Sequence, residues 1–200
     1  MKTFCLWLVL TAFMSASAMA AKAPDHFSFV FKTTQGDIRF ECPKGWAPLG
    51  EQRLYELIKA GFFKDIAFFR VITGFMAQFG ISGDPKVSAQ WADAKLIDDP
   101  VVGSNVAGTL TYADSGPNTR TTQLFINLAD NPRLDGSGFS PVCKLAKAED
   151  LAVVKKLYAG YGEGAPSGSG PNQDSITHQG NSYLKMNFPK LDYIKAAVIK

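Results

Sequence analysis

The sequence predicts a mainly β fold, a closed antiparallel β-barrel capped by two α-helices. Three observations carry this expectation. Many short segments read as strands, the first two of them alternating, only two stretches carry helical spacing, and the composition includes 15 phenylalanines and 18 glycines. Such a composition suits an aromatic core tied by many turns rather than a helical bundle, and closure would cover the edges that aromatic strands otherwise expose. At 200 residues and 46% hydrophobic, the chain is expected to form one compact domain. A net charge of +3, with no basic cluster interleaved with aromatics, argues against a nucleic-acid partner, since phosphate-driven affinity needs many contacts.

The first 20 residues differ from the rest. Lys2 supplies a positive start, Phe4 to Met14 is almost wholly apolar, and Ser15-Ala16-Ser17-Ala18-Met19-Ala20 offers the small residues that signal peptidase reads. The apolar run is short of the ~20 residues needed to span a bilayer. Residues 1–20 are therefore expected to be a cleavable signal and 21–200 a single exported domain, periplasmic or secreted, with no membrane association after cleavage.

In the mature chain, residues 27–33 alternate, Thr34-Gln35-Gly36-Asp37 turns, and 38–42 alternates again, which predicts a hairpin. Residues 51–60 place Leu54, Leu57 and Ile58 on one face before Gly61, which predicts a helix. Residues 68–72 and 75–79, joined at Thr73-Gly74, read as two strands, and further strands are expected at 108–112, 123–127 and 142–145. A second helix is expected over 149–158, with Leu151, Val154, Leu157 and Tyr158 on its apolar side. A turn-rich tract follows at 160–172, and a last strand at 194–199.

Cys5 leaves with the signal, so Cys42 and Cys143 remain in a compartment where disulfides form. A bridge and a pair of buried thiols both stay open. A core of this size needs no covalent framework, so the thiols are the expectation. Several chemistries are set aside. His26 and His178 have no partner at metal-ligand spacing, and neither metal nor cofactor is expected. Asp174, Ser175 and His178 form a local polar cluster without the scaffold a triad needs. The run Gly160-Tyr161-Gly162-Glu163-Gly164 lacks the lysine of a phosphate loop and reads as a surface turn. Asp98-Asp99 before Pro100 reads as exposed turn residues rather than a carboxylate pair for acid-base work.

One arginine embedded in aromatics remains. Strand alternation would put Arg70 on the face opposite Phe69 and Val71, and Phe75, Met76 and Gln78 lie across the turn, so a guanidinium could stand beside an apolar pocket.

Four ordered blocks then carry a resemblance. They are Phe69-Arg70-Val71-Ile72-Thr73-Gly74-Phe75-Met76-Ala77-Gln78, then Gly83-Asp84, then Ala113-Asp114-Ser115-Gly116-Pro117-Asn118-Thr119 with Gln123-Leu124-Phe125-Ile126, and finally Leu134-Asp135-Gly136. In order and spacing they resemble the signature of the cyclophilin family of peptidyl-prolyl isomerases, and the likeness runs from about Phe27 to Ile199. Trp46 to Gly50 and Tyr158 to Gly164 are similar to a branch of secreted bacterial and lower-eukaryotic members.

The resemblance implies an eight-stranded antiparallel barrel with two helices, and a monomer that rotates X–Pro bonds in exported polypeptides and so assists their folding. By the same likeness Arg70 is the catalytic residue. Phe75, Met76, Phe125 and Leu134 form the proline pocket, Phe139 is a further substrate-binding residue, Gln78 and Gln123 bond the substrate backbone, and Ala113 and Asp114 flank the peptide. A binding module or chaperone with little catalysis is the alternative use of the same groove. Arg133 stands where many members carry the tryptophan that meets cyclosporin, and Phe139 near a usual pocket histidine, which implies weak or absent cyclosporin binding. Leu124 replaces an aromatic and Cys143 a glycine.

Overall fold

The computed structural model describes residues 22–200. The expected signal segment and Cys5 lie outside the described residues. Among the described residues nine strands form one antiparallel sheet: β1 (Phe27–Thr33), β2 (Gly36–Cys42), β3 (Ile66–Ala67), β4 (Arg70–Ile72), β5 (Met76–Phe79), β6 (Thr109–Tyr112), β7 (Leu124–Asn127), β8 (Pro141–Leu145) and β9 (Tyr193–Ile199). Their order is β3-β9-β1-β2-β8-β6-β7-β5-β4. The two ends of that order are neighbours in the chain, separated only by Phe68 and Phe69.

The curled sheet encloses a phenylalanine core. Phe31 packs against Phe29, Phe40, Phe63 and Phe79 at ring-centroid distances of 4.9 to 5.7 Å, mostly edge to face, the geometry the ring quadrupole favours. Phe68 and Val71 join this interior, whereas Phe69 joins a second cluster with Ile81, Ile176 and Leu184. Strict alternation from residue 68 to 72 therefore does not hold. Pairing with β9 ends and pairing with β5 begins across Phe68–Phe69, so Phe69 is not in the interior beside Val71.

Four α-helices, not two, occur among the described residues: α1 (Pro48–Lys59), α2 (Pro85–Trp91), α3 (Asp150–Val154) and α4 (Gln173–Asn187). Helix α1 starts before its apolar spacing begins because its cap is distant. Ala47 offers no capping side chain, and the Asp99 carboxylate instead accepts the Leu49 and Gly50 N–H groups, each at 2.9 Å. Asp99 is thus buried, not an exposed turn residue. Its side chain also receives the equally buried Arg120 guanidinium at 3.1 Å.

Helix α3 stops early because the Lys156 and Leu157 N–H groups tighten onto the Val153 and Val154 carbonyls three residues back, after which the Tyr158 N–H is taken by Asp192 at 2.8 Å. The polar α4 breaks at Gly180, whose φ of 60° and ψ of −145° are left to glycine, and where a Cβ would lie 2.1 Å from the Gly83 carbonyl oxygen. Asp174, Ser175 and His178 fall on its first turns. The Ser175 N–H donates to the capping Asn172 side chain, and the His178 ring contacts the Asp174 carbonyl oxygen, so helix ends account for this cluster.

Cys42 and Cys143 form a disulfide. The expectation of two free thiols is corrected. Pairing of Phe40 with Leu145 and of Glu41 with Lys144 across β2 and β8 brings the next positions, Cys42 and Cys143, opposite one another, a juxtaposition that two cysteines 101 residues apart do not announce.

Candidate active site

Sheet register assembles the site. Arg70 on β4 pairs with Gln78 on β5, which pairs with Phe125 on β7, so three side chains far apart in sequence stand in one row across adjacent strands. Met76 is two residues from Gln78 and therefore on the same face. Arg70, Phe75, Met76, Gln78 and Phe125 line one hollow of about 250 Å³, closed by Ala113, Asp114, Leu134 and Phe139. Phe139 meets Phe125 edge to face at 5.9 Å. Gln123 sits in an adjoining polar hollow with Ser115, Thr119 and Thr121. A larger hollow of about 640 Å³ lies at the end of α1 against α2 and lacks the arginine.

Every residue that the sequence puts at the site lines one of two adjoining hollows, and two unforeseen residues join them. Glu163, from the glycine-rich turn, receives Arg70 Nε at 2.6 Å and Nη2 at 2.8 Å. Arg70 Nη1 donates to Gln78 Oε1 at 3.0 Å, Gln78 Nε2 to Gln123 Oε1 at 2.9 Å, and Gln123 Nε2 to Gln173 Oε1 at 3.1 Å. A guanidinium that accepts nothing thus sets the direction of a chain of amides down to the start of α4. The Arg70 hydrogen bond holds the Glu163 carboxyl below its usual pKa, against a smaller opposing effect of burial.

Buried asparagines hold the walls. Asn131 donates to the Phe75 carbonyl oxygen at 3.0 Å and to Asn127 Oδ1 at 2.8 Å, and Asn127 donates to Asn105 Oδ1 and Thr109 Oγ1. Asn105 Nδ2 donates to the Phe139 carbonyl oxygen at 2.8 Å and to Asp135 Oδ1 at 2.7 Å. Asp135 lies in the 3-10 turn Pro132–Ser137 that carries Leu134. Phe75, Leu134 and Phe139 are thereby tied to one satisfied polar network, the condition under which buried polar groups fix a geometry instead of loosening it.

The loop after β6 bonds to itself. Asp114 Oδ1 accepts the Gly116 N–H at 3.0 Å, and the Ser115 N–H donates to Thr119 Oγ1 at 2.8 Å. Arg133 is exposed, with its guanidinium 4.8 Å from the centroid of Phe75.

An arginine beside a small apolar hollow with amide groups on its rim can orient a peptide and donate to one atom of it. Residues 28–174 match the family described as cyclophilin type peptidyl-prolyl cis-trans isomerase/CLD. The chain belongs to the cyclophilin family. Among curated cyclophilin relatives, peptidyl-prolyl cis-trans isomerase CYP18-1 of Arabidopsis thaliana is 34% identical over 144 residues, covering 68% of this chain and 87% of the relative. The isomerase-like 1 protein of Rhizopus delemar is 34% identical over 113 residues, 54% of this chain and 67% of the relative. The chain spans only 19% of the longer isomerase-like 2 protein of Aspergillus oryzae. A crystal structure of a cyclophilin type isomerase from Cryptosporidium parvum superposes with a TM-score of 0.63 at 22% identity, over 88% of this chain and 98% of that one. A second structure of that protein, in the presence of the dipeptide Ala-Pro, gives 0.61 at 21% identity, over 86% and 98%. The cyclophilin fold is therefore a mainly β, curled antiparallel sheet with flanking helices.

Proposed function

We propose that this cyclophilin accelerates rotation about X–Pro bonds in exported polypeptides and assists their folding. The observation that carries this reading is the arginine held at the edge of an apolar hollow. The peptide C–N bond resists rotation with a barrier of about 18–20 kcal/mol, and X–Pro bonds are those with a meaningful cis population. No bond is broken. The protein has to favour the twisted state, in which the prolyl nitrogen is pyramidal and basic.

Arg70 donates to that nitrogen or to the neighbouring carbonyl oxygen more strongly in the twisted state than in the planar one, which is the differential binding catalysis requires. Phe75, Met76, Phe125, Leu134 and Phe139 hold the proline ring while the other side of the bond turns. At about 250 Å³ the hollow is below the roughly 300–1,000 Å³ of drug-sized sites and suits one small ring. Gln78, Gln123 and the segment Ala113-Asp114 hold the backbone. An acceleration of ~10⁵ corresponds to about 7 kcal/mol, within reach of orientation plus one charged donor, without metal or cofactor. The structure of the Cryptosporidium protein in the presence of the dipeptide Ala-Pro supports proline-containing peptides as the substrate class.

Residues 1–20 are read as a signal peptide and 21–200 as one monomeric domain, periplasmic or secreted and free of the membrane once cleaved. The Cys42–Cys143 disulfide supports export, because such bonds persist in oxidising compartments. We also read β3 and β4 as one strand broken at Phe68–Phe69, which would make the sheet a closed eight-stranded barrel. Cyclosporin binding is weak or absent in this reading, since Arg133 brings a hydrated charge where an indole would offer a flat wall. A protease-coupled assay on an Ala-Pro peptide tests the activity, with acceleration of the slow phase as the expected result. Tight peptide binding without acceleration would replace the enzyme with a binding module. N-terminal sequencing of the exported protein is expected to begin at Ala21, and intact Met1 in a membrane fraction would contradict export.

A further inference from the structure

We propose that Glu163 is a positioning residue that fixes the plane of the Arg70 guanidinium for the twisted peptide. The inference rests on the reading of Arg70 as the group that acts on the prolyl bond. A guanidinium has five N–H donors. Glu163 takes one from Nε and one from Nη2, and Gln78 takes one from Nη1. The second Nη1 hydrogen faces the Met76 thioether at 3.7 Å, a weak acceptor that a peptide oxygen or nitrogen displaces. Among the described residues the second Nη2 hydrogen has no acceptor. The donors left for a substrate are therefore on the edge of the guanidinium away from the carboxylate. Two parallel bonds from one carboxylate fix both position and plane, which a single bond does not.

Glu163 is itself held. Gly164 N–H donates to its Oε1 at 2.9 Å, and Gly170 N–H to its carbonyl oxygen at 2.8 Å. The turn is then closed by Gly168 N–H on the Gly164 carbonyl and Ala165 N–H on that of Gly170. A Cβ on Gly168 or Gly170 would lie 2.4 or 2.8 Å from the Glu163 carbonyl oxygen, so the glycines allow the turn to close this tightly. Without Glu163, Arg70 keeps Gln78 and a contact at 6.0 Å with the Phe75 ring, at the limit of a cation–π interaction.

The opposing possibility is that the carboxylate weakens Arg70 by neutralising it. The Glu163 side chain is 39% exposed and that of Arg70 22%, so water weakens the effect of the carboxylate charge at a distance more than it weakens two short bonds in direct contact, which still set the guanidinium plane. Positioning is therefore the larger effect.

The test uses the full chain and Glu163→Gln. The amide keeps the shape but turns a donor toward an arginine donor. Expected is a roughly tenfold fall in kcat, with KM changed less than twofold, and partial recovery in Glu163→Asp, which restores the charge one methylene short. A separate readout is the Arg70 Nε–H resonance, assigned by its loss in Arg70→Lys. It is expected to be resolved and slowly exchanging in the wild type and to move to the exposed-arginine position in Glu163→Gln. Equal or higher kcat in Glu163→Gln, while Arg70→Ala is inactive, overturns the positioning role and leaves the role of Arg70 standing. A rise in KM alone also overturns it. A wild type no faster than the uncatalysed peptide removes the functional reading and this inference with it, even with the Nε resonance in place.

Discussion

Replacing both Cys42 and Cys143 with alanine is expected to remove a large part of the stability of this chain. The bridge closes a loop of 101 residues in the unfolded ensemble. In the chain-entropy account a loop of that size is worth about 4.7 kcal/mol at 25 °C. Both cysteines are fully buried in the main core, so their loss also leaves unfilled space and the entropic figure is not offset by relief at the surface. For a domain of this size each kcal/mol moves Tm by about 2–4 °C, which gives a fall of roughly 10–18 °C. Urea denaturation followed by circular dichroism on a chain begun at Ala21, oxidised wild type against Cys42→Ala/Cys143→Ala, measures the difference at equilibrium. Thiol titration of the unfolded, unreduced wild type is expected to find none. Two titratable thiols, or variants within 1 kcal/mol of each other, would refute the reasoning.

Asp99→Ala is expected to cost about 2–4 kcal/mol in the same denaturation experiment, because it strips the distant cap from α1 and leaves the Arg120 guanidinium, with 4% side-chain exposure, only the partly exposed Asp98 carboxylate and the Ile97 carbonyl oxygen. Arg133→Trp is expected to tighten cyclosporin inhibition of isomerase activity by roughly 30- to 1,000-fold, equivalent to ~2–4 kcal/mol, and nanomolar inhibition of the wild type would reject that account. Burial pushes the Asp135 carboxyl up, but hydrogen bonds from Ser104 and from the Asn105 side chain and backbone outweigh it and hold the pKa below its ordinary value. A depressed carboxylate stabilises the fold above its unfolded pKa near 3.9 and loses that contribution as pH falls through the folded value. Asp135→Asn is therefore expected to be less stable than wild type at pH 7, with a gap that narrows toward pH 2.5 in urea titrations. A gap independent of pH would contradict it.

Alternation made the β1–β2 hairpin legible, because its strands expose part of one face, whereas β5, β6 and β7 are buried at every position and were legible as short apolar runs between turn residues. It failed over Phe68 to Arg70, where the chain changes partners from β9 to β5 and two aromatic rings go to different clusters. Helix α2 carried a readable signal, Asp84 accepting the Lys86 N–H just before Pro85, but its apolar face is one half-buried pair, Val87 and Trp91, too short a period to mark a helix. Helix α4 is polar and broken by Gly180, which hides both the period and the length that mark a helix. Sequence blocks named the pocket residues because all but Phe139 are part of a short ordered motif. Glu163 lies 93 residues from Arg70 in a turn whose glycines mark flexibility rather than a partner. Only the folded chain brings its carboxylate to the guanidinium. The same holds for Asp99 and for the asparagines behind Phe75 and Phe139, whose burial comes from segments remote in sequence.

The central claim is that Arg70 stabilises the twisted prolyl bond. The measurement that bears on it most directly is kcat/KM on an Ala-Pro peptide for wild type beside Arg70→Ala, with folding followed by circular dichroism. A fall of at least about tenfold, the equivalent of ~1.4 kcal/mol of lost transition-state stabilisation, is expected with the fold retained. A folded Arg70→Ala that isomerises the peptide as fast as the wild type would contradict the account.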